Sequence, residues 1–193
     1  GTYNVLVTDA NGCQELSPDI LISQPDELTL LLSSTDASCY NSSDGTASAS
    51  ISGGIPSYST DWGGFNPNAL SAGTYTVSIT DGNSCSTSSS ILVGEPTELL
   101  ATTSSTDALC NGATDGTAAV SISGGTSPYT EDWSGADPTA LSAGIYTVSV
   151  TDNNGCVTSV ITTVNHPSVL IASTTGPDAL CNGATDGTAS VVI

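Results

Sequence analysis

The chain has 193 residues, with 19 Asp and Glu, one His and no Lys or Arg, and its formal net charge is −19. Without cationic side chains it is not expected to bind nucleic acid, and an anionic membrane surface would repel it. Hydrophobic residues make up 37% of the sequence, which fits several small cores better than one large enzyme core, and no apolar run is long enough for membrane insertion.

The chain consists of copies of a unit of about 71 residues. Cysteines and prolines recur at this spacing: Cys39, Cys110 and Cys181; Pro25, Pro96 and Pro167. This period predicts small, independently folding domains rather than solenoid units. In chain order we expect the end of a preceding repeat (1–24), two complete repeats (25–95 and 96–166) and the start of a following repeat (167–193). We expect the chain to be a segment of a longer protein.

Each complete repeat contains five stretches in which apolar and hydroxyl residues alternate. In the first they are, in order, ELTLLLSS, GTASASISGG, YSTDW, LSAGTYTVSITD and STSSSILVGEP. A period of two between Gly, Pro, Asn and Asp clusters predicts short antiparallel strands, and helical spacing is absent. We therefore predict an all-β fold of immunoglobulin-like, Greek-key sandwiches of about 71 residues, arranged end to end.

The alternation also predicts which side chains face each core. In the first repeat these are Leu28, Leu30, Leu32, Ala47, Ala49, Ile51, Trp62, Tyr75, Val77, Ile79 and the ILV of residues 91–93. In the second they are Ala118, Val120, Ile122, Trp133, Tyr146, Val148 and Val150.

A tyrosine near the start of the fourth stretch has the sequence context of a tyrosine corner. Leu70, Gly73 and Tyr75 recur as Leu141, Gly144 and Tyr146. In a tyrosine corner the hydroxyl donates a hydrogen bond to the backbone a few residues upstream. The same residues could simply fill the core, and that reading leads to the same fold.

Several motifs together resemble a known repeat family. They are the Cys-x-x-x-x-Asp-Gly opening, the Gly-Gly-x-x-x-Tyr bend, the Trp, the Gly-x-Tyr-Thr-Val strand and the closing Asp-x-x-x-Cys. The chain resembles the SprB-type repeat of large cell-surface adhesins of gliding Bacteroidota. The resemblance implies export by the type IX route and a role in surface adhesion and gliding. This chain differs in having no basic residue, and we expect no terminal sorting domain within this segment.

The linkers between repeats are short and contain proline: QPDELTL, EPTELLA and HPSVLIA. Proline restricts the backbone, so little bending is expected there. His166 lies in the third linker and is interpreted as a solvated residue rather than a ligand or a catalytic group.

Six cysteines, two per repeat, indicate an oxidising, extracellular location. The disulfide candidates are Cys13, Cys39, Cys85, Cys110, Cys156 and Cys181. Two connectivities stay open. Cys39 pairs with Cys85 if each repeat closes its own bond. Cys39 pairs with Cys156 across a joint if the two cysteines of a repeat lie at opposite ends of a strand about 26 Å long, too far apart for a disulfide.

The aspartates fall at the expected ends of the sandwiches: Asp36, Asp44, Asp61, Asp81, Asp107, Asp115, Asp132 and Asp152. Carboxylates gathered at a repeat joint would suit calcium, which is therefore the expected cofactor if these loops bind one. The alternative is that Asp stabilises turns and solvates loop tips, and the loops do not match an EF-hand.

No enzyme is expected, since nucleophile elbows, phosphate loops and His-bearing dyads are absent. Glu131 and Asp132 are adjacent on a strand and therefore face opposite sides.

We expect a structural stalk or filament segment of an extracellular adhesin. Its partners would be neighbouring repeats, other copies in a filament, and an unidentified surface or glycan ligand. The alternative is a carbohydrate- or ligand-binding module, for which exposed aromatics would be needed. Tyr40 and Phe65 are candidates, but Asn111 and Ala136 replace them in the second repeat.

Overall fold

A computed structural model describes residues 1–193 and is all-β, which confirms the predicted fold class. No helix in the chain could cross a membrane. The strands are β1 (Thr2–Tyr3), β2 (Leu6–Thr8), β3 (Gln14–Leu16), β4 (Ile20–Leu21), β5 (Thr29–Thr35), β6 (Thr46–Ser52), β7 (Ser59–Asp61), β8 (Gly73–Thr80), β9 (Ser86–Val93), β10 (Leu100–Thr106), β11 (Thr117–Ser123), β12 (Thr130–Asp132), β13 (Gly144–Thr151), β14 (Val157–Val164), β15 (Ser173–Thr175) and β16 (Ser190–Val192).

The chain divides into two compact units, Gly1–Glu95 and Pro96–Ile193. The first unit contains a complete set of five strands, β5–β9, which we call the first module. The second unit contains the set β10–β14, which we call the second module. Each strand of the second module begins and ends 71 positions after its counterpart in the first.

Two small antiparallel sheets form each module. In the first module β5 pairs with β6, from Thr29↔Ser52 to Thr35↔Thr46. The other sheet has the order β7-β8-β9, with an eight-residue ladder between β8 and β9. The second module repeats this arrangement as β10-β11 and β12-β13-β14, in the same register. Each module thus has five strands, whereas an immunoglobulin constant domain has seven.

The first and last strands of a module lie side by side and run in the same direction. In the first module Ser34 Oγ donates to Leu92 O at 3.0 Å, and Ala37 N donates to Gly94 O at 2.9 Å. Partners that advance together along both strands define a parallel pair. Side-chain hydroxyls supply part of this contact in place of a regular backbone ladder, and we call this contact between the first and last strands the seam.

The core of each module lies between its two sheets and follows the alternation of the sequence. Val77, Ile79 and Val93 are fully buried in the first module. In the second module the same positions, Val148, Val150 and Val164, are also buried. Leu92 differs from the prediction, because it is 67% exposed. Its neighbours in β9 point inward, so the pleat turns Leu92 to solvent.

Further strands lie before the first module and after the second. Residues 1–24 form an antiparallel hairpin in which β1 pairs with β4 and β2 with β3. Strands β15 and β16 pair within residues 167–193.

Candidate functional site

A buried aspartate organises the tip of the β8–β9 hairpin. Asp81 Oδ1 accepts hydrogen bonds from the backbone N–H of Asn83 at 2.9 Å and of Cys85 at 2.8 Å. Its Oδ2 accepts from Ile55 N at 2.9 Å, in the loop before β7. Asp81 is only 6% exposed. One carboxylate therefore closes the hairpin and also ties it to a loop 26 positions earlier in the sequence.

The second module has the same arrangement around Asp152. The Asn154, Cys156 and Thr126 N–H groups donate to its carboxylate at 2.9, 2.9 and 2.8 Å. In the N-terminal hairpin Asp9 Oδ1 accepts from Asn11 N and Cys13 N in the same way. The Asp-x-x-x-Cys motif is thus a hairpin loop held by its aspartate.

Hydrogen bonding keeps these carboxyl groups ionised. The Ile55 N–H lowers the pKa of Asp81 below its ordinary value of 3.8, and the Cys85 and Asn83 N–H groups act in the same direction against burial. Burial acts to raise the pKa of Asp152, but the N–H groups that it accepts outweigh burial, and its pKa also lies below 3.8. Both carboxylates are therefore charged at neutral pH.

The Gly-Gly bend lies against the segment that leads into the module. Gly53 and Gly54 both have positive φ angles, of 71° and 63°. A Cβ on Gly53 would lie 1.8 Å from Glu27 O, and one on Gly54 would lie 2.9 Å from Asp81 Oδ2. Gly54 N also donates to Asp26 O. The bend requires glycine for this close approach, and it holds the incoming linker in place.

The remaining predicted calcium residues lie at several separate turns. Each of the eight aspartates accepts a hydrogen bond from a backbone N–H. The donor–acceptor pairs are Gly94 N and Asp36, Ser38 N and Asp44, Gly63 N and Asp61, Asn83 N and Asp81, Asn165 N and Asp107, Leu109 N and Asp115, Ser134 N and Asp132, and Asn154 N and Asp152. The structure brings no three His, Cys, Asp or Glu side chains together in a way that could hold a metal ion. These contacts are the ones that the turn-stabilising interpretation describes, and calcium binding stays a prediction.

Asp44 has the most strongly perturbed of these carboxyl groups. The hydroxyls of Ser38 and Ser42 donate to it, as does the Ser38 N–H, and together they hold its pKa well below the ordinary value. Asp115 occupies the same position in the second module and accepts from Leu109 N. Leu109 and Ala113 replace the two serines there.

The tyrosine of the fourth strand returns to the loop before it. Tyr75 Oη donates to Ser71 O at 2.8 Å, and Tyr146 Oη donates to Ser142 O at the same distance. Gly73 has a φ of 159° and, like Gly144, begins its strand two residues before the tyrosine.

The two tryptophans differ in burial. Trp133 is buried, and its Nε1 donates to Glu131 Oε2 at 3.0 Å. Trp62 is half-buried and packs against the core of the first module. Each tryptophan follows its short third strand directly. Asp132, next to Glu131, accepts from Ser134 N instead, so the two acids have separate partners.

The cysteines are in two states. Cys39 and Cys156 are disulfide-bonded, whereas Cys13, Cys85, Cys110 and Cys181 are free and exposed. Because Cys85 is a free thiol, the alternative in which the first repeat closes its own Cys39–Cys85 bond is not formed.

His166 contacts both its own linker and the loop that contains Cys110. Its Nδ1 lies 2.8 Å from Asn111 Nδ2 and 2.7 Å from Pro167 O. In the first unit the equivalent linker residue, Glu95, accepts from Asn41 N at 2.6 Å. The residue before the joint proline thus binds the cysteine-containing loop in both units.

Sequence reasoning did not identify the hydroxyl residues of the seam or the backbone contact that requires Gly53. Ser34 lies on the same strand face as Leu30 and Leu32, so the alternation places it with the inward residues and gives no partner for its hydroxyl. The Gly-Gly pair predicts a bend, but its partner Glu27 lies outside the motif.

Two segments of the chain, residues 31–64 and 102–138, match the family model described as the SprB repeat. Each covers most of the first strand of a module, its second and third strands, the Gly-Gly bend and the tryptophan. These two segments are thus similar to SprB repeats, which confirms the resemblance that the sequence motifs predicted. SprB repeats occur in cell-surface proteins, and the matches indicate an adhesin-like repeat region of a cell-surface protein. No curated protein and no solved structure matches the chain.

Proposed function

We propose that this chain is a stalk or filament segment of an extracellular adhesin, in which modules follow one another end to end and hold a binding region away from the cell. The observation that carries the proposal is the repetition of one strand register around two separate cores. A stalk needs units that each bury their own core, so that length grows by adding units. The proposal assigns no catalytic activity.

Small-angle X-ray scattering tests the end-to-end arrangement. The maximum dimension of this chain is compared with that of a chain lengthened by two further modules. An eight-residue strand spans about 26 Å, and we therefore expect a constant increment of about that length or more per module. A maximum dimension that grows only as the cube root of mass would contradict the proposal.

We further propose that disulfides join consecutive repeats, with Cys39 bonded to Cys156. The disulfide-bonded state of these two cysteines and the free thiol of Cys85 support this connectivity. Peptide mass spectrometry without reduction tests it, after cleavage at acidic residues because trypsin has no site in this chain. Recovery of a Cys39–Cys85 peptide would exclude it.

A ligand-binding module is the second candidate, and the exposed aromatics of the first module favour it. Tyr40 is 45% exposed and Phe65 is 57% exposed. Glycan-array binding that is lost in Tyr40→Ala or Phe65→Ala would support this candidate. The choice between adhesion and gliding motility rests on the SprB resemblance alone, and gliding assays of cells lacking the protein would test it.

A further inference from the structure

We propose that each module bears mechanical force and that the seam between its first and last strands is the clamp that resists unfolding under tension. The inference rests on the proposed stalk function, since a stalk between a cell and a surface is pulled along its length. Beyond the stalk function, the inference names the seam as the part of a module that determines how long the module stays folded under tension.

The second module shows the clamp most completely. Thr103 Oγ1 donates to Ile161 O at 3.2 Å, and Ser105 Oγ donates to Thr163 O at 2.9 Å. Beyond the ends of both strands Ala108 N donates to Asn165 O at 2.9 Å, and Asn165 N donates to Asp107 Oδ1 at 2.8 Å. The two side-chain donors lie 58 positions before their acceptors, so β10 and β14 run parallel along the whole contact.

The direction of these strands decides how they carry load. The chain enters the module at the start of β10 and leaves it at the end of β14. Because the two strands are parallel, tension pulls them in opposite directions along their common axis. The hydrogen bonds between them run across that axis and are loaded together in shear, whereas the bonds of a hairpin pulled from its open end break one after another. The unfolding rate under force therefore depends on the whole seam.

The two modules have seams of different strength. Thr103 of the second module corresponds to Leu32 of the first, which has no hydroxyl. The first module keeps the Ser34 bond, the Ala37 bond and the Gly94 N–H donated to Asp36 Oδ1 at 2.7 Å. The second module has two more side-chain bonds across its seam, one from Thr103 Oγ1 and one from Asn165 Nδ2 to Asp107 Oδ1 at 3.2 Å. It is therefore expected to have the longer lifetime at a given force.

Constant-force spectroscopy of the whole chain, held by its two ends, tests the clamp. A reductant is included so that disulfides shield no part of the chain from the force. We expect two unfolding steps with different lifetimes. The double variant Thr103→Val, Ser105→Ala is expected to shorten the longer lifetime about tenfold or more, because two hydrogen bonds of ordinary strength are lost. Ser34→Ala is expected to shorten the other lifetime by a smaller factor.

Tyr146→Phe is the matched control, because it removes a hydroxyl hydrogen bond of the same module away from the seam. Its lifetime under force is expected to stay within about twofold of the original, even where its denaturant midpoint falls as far as that of the double variant. Equal lifetimes for the double variant and the unmodified chain, or an equal loss in Tyr146→Phe, would overturn the clamp. A compact chain in the scattering experiment would contradict the stalk and leave the clamp intact, so the two failures are distinguishable.

Discussion

The first and second modules share every strand pairing but cover one end of the core with different aromatic residues. In the first module the Phe65 ring stands edge-on to Tyr75, with centroids 5.0 Å apart and planes at 84°, and Tyr75 is buried. In the second module Ala136 replaces Phe65 and Tyr146 is only half-buried. There Trp133 is the buried aromatic, held by Glu131. The strand framework thus tolerates exchange of the covering residue.

The modules also differ where the backbone takes a left-handed conformation. Ser84 has a φ of 67° in the first hairpin loop, whereas Gly155 has a φ of 84° in the second. Gly63 and Ser134 show the reverse assignment, with φ of 66° and 56°. The turn geometry is therefore kept even where serine replaces the glycine that suits it best. At each of these two positions, one module shows the turn with glycine and the other shows it with serine.

The largest effect on stability is expected at the first glycine of the Gly-Gly bend, which both modules share. A Cβ on Gly124 would lie 1.9 Å from Glu98 O. Gly124→Ala should therefore displace the linker and lower the free energy of unfolding of the second module by at least about 3 kcal/mol. Denaturant unfolding followed by Trp133 fluorescence in a Trp62→Phe background measures it.

Gly155→Ala is the control for Gly124→Ala. Gly155 also has a positive φ, but a Cβ there would meet nothing within 4 Å. It should cost only about 1 kcal/mol. Equal effects of the two substitutions would show that the backbone contact with Glu98 has no special importance.

The next effect concerns the core that the modules share. Ile79 is fully buried, so Ile79→Ala should destabilise the first module by about 2–5 kcal/mol. Ile79→Val copies the second module, which has Val150, and should cost about 0.5–1.5 kcal/mol. Trp62 fluorescence in a Trp133→Phe background reports both. Leu92→Ala, at an exposed position of the same sheet, is expected to change stability by less than about 0.5 kcal/mol. A large loss there would mean that Leu92 is buried.

The stabilities of the two modules should depend differently on pH below 4, because their carboxyl groups differ. Asp81 and Asp152 have pKa values below the ordinary 3.8. Their contribution to stability is therefore complete above pH 4 and is lost as the pH falls through the lower, folded-state pKa values. Asp44 has an even lower pKa, so the first module should go on losing stability at pH values where the second has levelled off.

The pH dependence is measured by denaturant unfolding between pH 5 and pH 1.5, with Trp62 and Trp133 observed separately. Ser42→Ala removes one donor to Asp44 and should bring the first module closer to the behaviour of the second. Identical pH profiles for both modules, before and after this substitution, would argue against a role for Asp44.

Exchanging Phe65 and Ala136, the residues at the end of the core, should change the stability of each module by a smaller amount. Phe65→Ala removes the edge-on contact with Tyr75 and should cost about 0.5–1.5 kcal/mol beyond the loss of buried area. Acrylamide quenching and denaturant unfolding of the first module measure it. Ala136→Phe is the reciprocal change, and it is expected to stabilise the second module. Destabilisation by both changes would mean that the two ends of the core have different shapes.

The smallest effect is expected at the hairpin tip. Ser84→Gly relieves a left-handed serine and should stabilise the first module by about 1 kcal/mol. Gly155→Ser should destabilise the second by a similar amount. Thermal unfolding of single-tryptophan variants compares them. If neither midpoint moves, the two φ values carry no strain.

Much of the fold could be predicted because its signals are local. Four of the five stretches of the first repeat contain their whole strand, and the first stretch misses only Thr35 of β5, since alternation reports the two faces of a pleat directly. The assignment of Leu92 to the core was wrong because the run ILV has no internal alternation. Nothing local distinguishes its outward residue from the two that point inward.

The candidate site was less predictable because its partners are distant in sequence. Asp81 was correctly placed at a loop tip, but its burial depends on Ile55, which the fold brings to it from another loop. The seam could not be predicted at all, because the alternation assigns the residues of β5 to its two faces without saying which strand lies beside it.

The sequence alone determined the all-β class, the spacing of 71 residues, the approximate positions of the strands in the two modules and the SprB-type motifs, because these depend on residue order within short segments. Only the tertiary structure decided that β5 lies parallel to β9, that the Gly-Gly bend meets Glu27, and that one aspartate ties two loops together. Such contacts join residues 26 to 58 positions apart. They form only when the sheets pack, so no local pattern encodes them.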